Sequence, residues 1–186
     1  MLITLALMII MVVMLHGFGS RGNQQRQMRS CQKNLQKIYL ALEIFANEHS
    51  GLFPAQAGAK TSEEPLSILV PRYTAASEVF VCPGSKDSPL PSGEPFSNRK
   101  ISYAYFMGRA LANDSSELLI TDRQISALPK VKGAPTFSAN GKAPGNNHHQ
   151  YGGNYLFVDG HLESGAALAP FPITWTPGVT LLNPKP

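Results

Sequence analysis

Three histidines and one aspartate crowd a single stretch of the chain: His148, His149, Asp159 and His161. Imidazole and carboxylate groups together bind zinc and other divalent metals, so this cluster is the first place to look for chemistry. Two cysteines, Cys31 and Cys82, are the other candidates, and no further cysteine is present. Neither set has the spacing that marks a known site. There is no HExxH, no CxxC and no second acidic cluster beside the histidines, and two cysteines so far apart do not make a metal site by themselves. Gly108-Arg109-Ala110 and Gly17-Phe18-Gly19 are not phosphate loops, and no GxSxG or Cys-His nucleophile pattern occurs. The sequence therefore assigns no catalytic residue, no metal and no cofactor, and an enzyme is not expected.

The histidines surround the clearest local element. Tyr155-Leu156-Phe157-Val158 precedes Asp159-Gly160, and His161-Leu162-Glu163 follows. Asp-Gly between apolar strands predicts a hairpin with a two-residue turn, because both residues tolerate the positive φ that such turns require. This gives Asp159 and Gly160 a structural role without chemistry. His149 is then expected to fix the glycine-rich approach to the hairpin by hydrogen bonding, with the backbone near Asp159 as its partner. Further strands are expected at Ile101 to Phe106, Glu117 to Thr121 and, briefly, Val79 to Val81. Asp122-Arg123 reads as a surface pair or turn. Ser85 to Asn98 and Lys130 to Asn147 read as loops, and the proline-rich tail from Ala169 has room for only a short edge strand.

The N-terminal segment must position all of this. Leu2 to Leu15 is uncharged and apolar apart from Thr4, about 21 Å of helix against a hydrocarbon core of about 30 Å. Counting Met1 and residues 16–18 brings it to the lower edge of a spanning length, and residues 1–20 are read as a transmembrane anchor. A cleaved signal peptide is the rival, with Gly17-Phe18-Gly19-Ser20 as its cleavage region, but no basic residue precedes the apolar run. Residues 21–50 continue as an amphipathic helix with its apolar stripe at Met28, Cys31, Leu35, Ile38, Leu42 and Phe45. The helix is expected to end near Ser50-Gly51, with Pro54 blocking a restart. Its stripe lies on the core of its own domain, or alternatively on a coiled-coil partner. Beyond the anchor, residues 21–186 suffice for one globular folding unit with a real core, 51–186 forming its α+β part. The net charge of +4 is spread without a basic block, which argues against nucleic acid as a partner.

Cys31 lies on the apolar stripe, and Cys82 follows Val79-Phe80-Val81. In an oxidising compartment the pair forms a disulfide tying the helix to that segment, worth roughly 3–4 kcal/mol through the length of the closed loop. Two buried free thiols are the alternative.

The order of these features resembles a known family. Cys31-Gln32-Lys33-Asn34-Leu35-Gln36-Lys37-Ile38, Phe45-Ala46-Asn47-Glu48-His49 and Gly51-Leu52-Phe53-Pro54 follow an apolar segment, as in type IV pilin-like and type II secretion pseudopilin-like proteins. His149, nine residues, then Asp159-Gly160 resembles the prepilin-type H-X9-DG subgroup. The resemblance covers roughly residues 1–55, 80–83 and 145–163. It implies an α+β fold in which a long N-terminal helix, half membrane anchor and half amphipathic, packs on a small antiparallel sheet with long loops. It also implies cleavage and N-methylation by a prepilin peptidase, and assembly with other pilin-like subunits through the N-terminal helix. The location implied is the inner membrane, single-pass and in contact with lipid, with the C-terminal domain in the periplasm. The family's basic leader, its glycine-phenylalanine junction and its glutamate are not in the sequence, and the expectation is that they precede the recorded start. Arg21, Arg26, Arg29 and Lys33 follow the apolar run, so the positive-inside rule alone would keep the domain in the cytoplasm; the resemblance and the cysteine pair favour export. Two other readings stand beside the filament subunit. One is a membrane-tethered polysaccharide-binding module using Tyr103, Tyr105, Tyr151 and Trp175. The other is a metal-dependent hydrolase on His148, His149, Asp159 and His161.

Overall fold

The computed structural model describes residues 2–186, with side chains at 3–5, 7, 8, 11 and 22–186. Helix α1 (Leu2–Glu48) leads into the body. Its stripe from Cys31 through Leu35, Ile38, Leu42 and Phe45 is buried, joined by Ala41 and Ala46, while Met28 is only half-buried. The helix stops where Ser50 and Gly51 turn to positive φ and the Gly51 N–H donates to the Ala46 carbonyl at 2.8 Å. Among the described residues no helix is long and apolar enough to cross a membrane. The anchor expected at 1–20 falls on a segment most of whose side chains lie outside the described set.

A five-stranded antiparallel sheet makes the fold α+β. The strands are β1 (Tyr103–Met107), β2 (Leu118–Asp122), β3 (Gly153–Phe157), β4 (Leu162–Gly165) and β5 (Thr180–Leu182), in the order β4-β3-β2-β1-β5. Period-two alternation divides their side chains between two layers. Tyr103, Tyr105, Ile120, Leu156 and Val158 join the core under α1. Ala104, Phe106, Leu118, Tyr155 and Phe157 face the opposite way, onto Phe137, Ala169, Ile173 and Val179 from the C-terminal loops. An irregularity in the β2–β3 register between Leu118 and Ile120 shifts β2 from one face to the other. The loops expected at 85–98 and 130–147 carry no named strand or helix. The strand expected at Val79 to Val81 is instead a 3-10 turn, Ser77–Phe80, because Val79 and Phe80 both bury into the α1 core from a single turn. The stretch Glu63 to Leu69 is likewise helical.

Short edges bound the sheet. β5 is three residues long between Pro177 and Pro184, and β4 exposes Glu163 and Ser164.

The β3–β4 hairpin differs from the two-residue turn expected for Asp159-Gly160. The Gly160 N–H donates to the Phe157 carbonyl at 3.0 Å and the Phe157 N–H to the His161 carbonyl at 3.1 Å, so Val158, Asp159 and Gly160 together form the loop. Gly160 alone takes positive φ, at 85°, and Asp159 accepts from the His161 N–H at 3.0 Å. Packing explains the longer loop. The Tyr39 ring of α1 lies against Gly160, where a Cβ would come within 2.6 Å of it, and the Tyr39 hydroxyl donates to the Val158 carbonyl at 3.0 Å. Gly160→Ala should therefore destabilise the domain by about 1–3 kcal/mol, since a side chain must enter the left-handed region and displace the ring. Urea unfolding checks this; a loss under about 0.5 kcal/mol would mean that the hairpin tip is not docked.

Candidate functional site

Among the described residues, the most densely connected carboxylate is one the sequence suggests lies at the surface. Asp122, the last residue of β2, is 1% exposed, and Arg123 beside it is also buried. Asp122 Oδ2 accepts from the Asn154 N–H at 2.7 Å and Asn154 Nδ2 at 3.0 Å, and lies 3.2 Å from His148 Nε2; Oδ1 accepts from Asn147 Nδ2 at 2.8 Å. Burial alone would raise this carboxyl. The charge and hydrogen bond of His148, with the bonds from Asn147 and Asn154, outweigh it and hold the group below the ordinary carboxylate range. Arg123 turns the other way, donating to the Ile101 carbonyl at 2.6 Å and to Asp87 at 3.0 Å.

The partners come from β3, which carries Asn154, and from the loop before it, which carries Asn147 and His148. Asn154 stands on the helix-facing side of β3, where its Nδ2 also reaches the Met28 carbonyl of α1 at 3.2 Å and its Oδ1 accepts from Ser164 on β4 at 2.6 Å. Gln32 of α1 donates to the same Ser164 hydroxyl at 2.8 Å. Asn147 ties the loop to β1 by donating to the Ser102 carbonyl at 2.7 Å. His148 is fully buried, and its Nε2 is also 3.6 Å from Cys82 Sγ. Gly84 makes room for it, since a Cβ there would lie 2.8 Å from the imidazole Nδ1 and 2.4 Å from the Asn147 carbonyl.

Cys82 is joined to Cys31 by a disulfide, which clamps α1 to the segment before Gly84. Cys82 Sγ also accepts from the Gly84 N–H at 3.3 Å. Cys31, Cys82, Asp122 and His148 thus form one buried cluster whose ligand-type atoms all lie within 4.8 Å of one another.

The four-residue cluster that the hydrolase alternative would need does not form. Of His148, His149, Asp159 and His161, only His148 enters the interior. His149 is exposed, at positive φ, with its ring over Gly141. His161 stacks on Phe157 and pairs with Asp159 at 2.5 Å on the surface. Strand β3 separates His149 from Asp159, roughly 16 Å of extended chain, so His149 has no part in holding the backbone near Asp159. A hydrolase built on those four residues therefore lacks its site. The aromatic platform is corrected as well: Tyr103 and Tyr105 are wholly buried, and the Tyr105 hydroxyl donates to the Pro54 carbonyl at 2.8 Å. Trp175 is half-buried, edge-on to Phe106.

Comparison of this chain with family models, with curated proteins and with solved structures finds no match.

Because the Asp122 carboxyl holds its proton more weakly when folded than when unfolded, the folded state binds fewer protons in the acid range and stability falls as pH drops. Asp122→Asn should cost about 1–3 kcal/mol at neutral pH by facing buried donors with an amide. The gap between variant and wild type should begin to close below about pH 4 and narrow through the folded pKa. Urea unfolding from pH 7 to pH 2 reads this, and a gap that stays constant would show that the carboxylate charge is not the stabilising group.

Proposed function

We propose that this chain is a pilin-like or pseudopilin-like structural subunit that assembles with similar subunits through α1. The observation that carries this reading is the division of one helix into two surfaces. From Met28 to Tyr39 α1 is bonded to the sheet through Asn154, Ser164, Val81 and Val158. Toward its start, Ile3, Leu5, Leu7, Met8 and Met11 are each at least 60% exposed. Exposed apolar side chains repeated along a helix call for cover by lipid or by other helices, and a helix so firmly joined to its own domain carries that domain into whatever it joins. The resemblance over residues 1–55 and 145–163 supports the same reading, with the domain on the extracytoplasmic side of the inner membrane, where the Cys31–Cys82 bond is stable. Prepilin peptidase and membrane lipid are then the further partners.

No catalytic step is assigned. The alternative of a tethered polysaccharide-binding module loses two of its four aromatic residues to the core.

Cysteine cross-linking tests the assembly. Leu7→Cys in native membranes should give an oxidised dimer, since the two native cysteines are paired and each subunit then carries one free thiol, and adding Leu5→Glu should abolish it while leaving the unfolding of the domain unchanged within about 0.5 kcal/mol. The N-terminal peptide of the same extracted protein should carry an N-methyl group. Monomers alone, with an unmethylated terminus, would overturn the proposal.

A further inference from the structure

The buried cluster at the helix–sheet junction has a property that does not depend on filament assembly. We infer that, when the Cys31–Cys82 bond is reduced, Cys31, Cys82, His148 and Asp122 form a tetrahedral zinc site. The disulfide and the metal would then be alternative clamps on the same pair of elements.

Geometry is the main support. A tetrahedral zinc ion with sulfur ligands at about 2.3 Å and nitrogen or oxygen ligands at about 2.0–2.1 Å requires a sulfur–nitrogen separation of about 3.5 Å and a nitrogen–oxygen separation of about 3.3 Å. Cys82 Sγ and His148 Nε2 are 3.6 Å apart, and His148 Nε2 and Asp122 Oδ2 are 3.2 Å apart. Two edges of the tetrahedron thus already stand at metal-site length without a metal. Only the two sulfurs must separate, from a covalent bond to about 3.8 Å.

The surroundings are also those of a metal site. All four side chains are buried. Asp122 is oriented by Asn147 and by both nitrogens of Asn154, and Cys82 Sγ by the Gly84 N–H, which are the outer bonds that hold ligands in place and stabilise a thiolate. Two thiolates with one imidazole and one carboxylate suit zinc in preference to magnesium or calcium, which take oxygen ligands.

The interconversion balances. A dithiol donates two electrons and two protons to the Cys31–Cys82 bond and leaves as its own disulfide, giving two thiols. Zinc then binds both sulfurs, Asp122 Oδ2 and His148 Nε2; the two thiol protons pass to solvent, and the proton that Nε2 directs at Asp122 leaves that nitrogen for Nδ1 or for solvent. Reoxidation of the sulfurs by a disulfide reverses the sequence and releases the metal. The helix would thereby remain clamped to the sheet in a reducing compartment as well as in an oxidising one.

The test uses the full chain in detergent micelles, reduced without oxygen by a phosphine, which leaves as its oxide and does not compete strongly for metal. Cobalt(II) should bind at one ion per chain with tetrahedral d–d absorption and a thiolate charge-transfer band, and zinc should displace it. The oxidised chain should show neither band. Zinc should raise the thermal midpoint of the reduced wild type, whereas His148→Gln should weaken cobalt binding at least ~10-fold and lose the zinc-dependent rise. No cobalt bands on the reduced chain would overturn the inference. So would an equal zinc response in His148→Gln, which would assign the metal to the thiols alone.

Discussion

A buried carboxylate has to be surrounded by donors, and in this molecule that requirement is met from the start of β3 and the loop before it. Asp122 ends the central strand β2, and its two oxygens are served by the main chain and side chain of Asn154, by Asn147 and by His148. An unpaired charge in such a place would cost several kcal/mol, so these donors must arrive together. Their arrival fixes the entry into β3 and the path of the loop before it. Through Asn154 and the Met28 carbonyl it also fixes how α1 lies on the sheet. The disulfide adds a covalent tie beside this network.

The sequence showed the parts of the fold that rest on periodicity. The three-four spacing from Met28 to Phe45 marked the buried side of α1, and the alternation in Ile101 to Phe106 and Glu117 to Thr121 marked β1 and β2 within one or two residues. Ala41 and Ala46 completed the buried stripe without announcing themselves, since small residues carry little hydropathy signal. Val79 to Val81 has strand composition but lies in a 3-10 turn, because tertiary packing of Val79 and Phe80 overrides a preference carried by only three residues.

The site was much less legible. Asp122-Arg123 looks like any charged pair after a strand, and nothing in its neighbours shows that Asn147 and His148 of a loop and Asn154 of β3 converge on it from far along the chain. The one available hint was that Asp122 shares strand parity with Ile120, which joins the core under α1. His148 and His149 are adjacent and chemically identical, and the fold takes one inside and leaves the other over Gly141. The motif residue His149 and the Asp159-Gly160 pair stand at opposite ends of β3. Their separation in this chain is that of a strand's two ends, one near the loop that feeds Asp122 and the other at the hairpin tip under Tyr39.

The sheet's edges have a consequence for crowded surroundings. An open antiparallel sheet offers unpaired backbone groups on both sides, and long flat edges recruit the strands of neighbouring molecules. Here one edge, β5, is three residues long between prolines that lack a backbone donor, and the other, β4, carries an exposed Glu163. The domain is thus guarded against fusing with its neighbours into continuous β-structure. Many copies can be held at high local concentration while each keeps its own sheet closed to exchange.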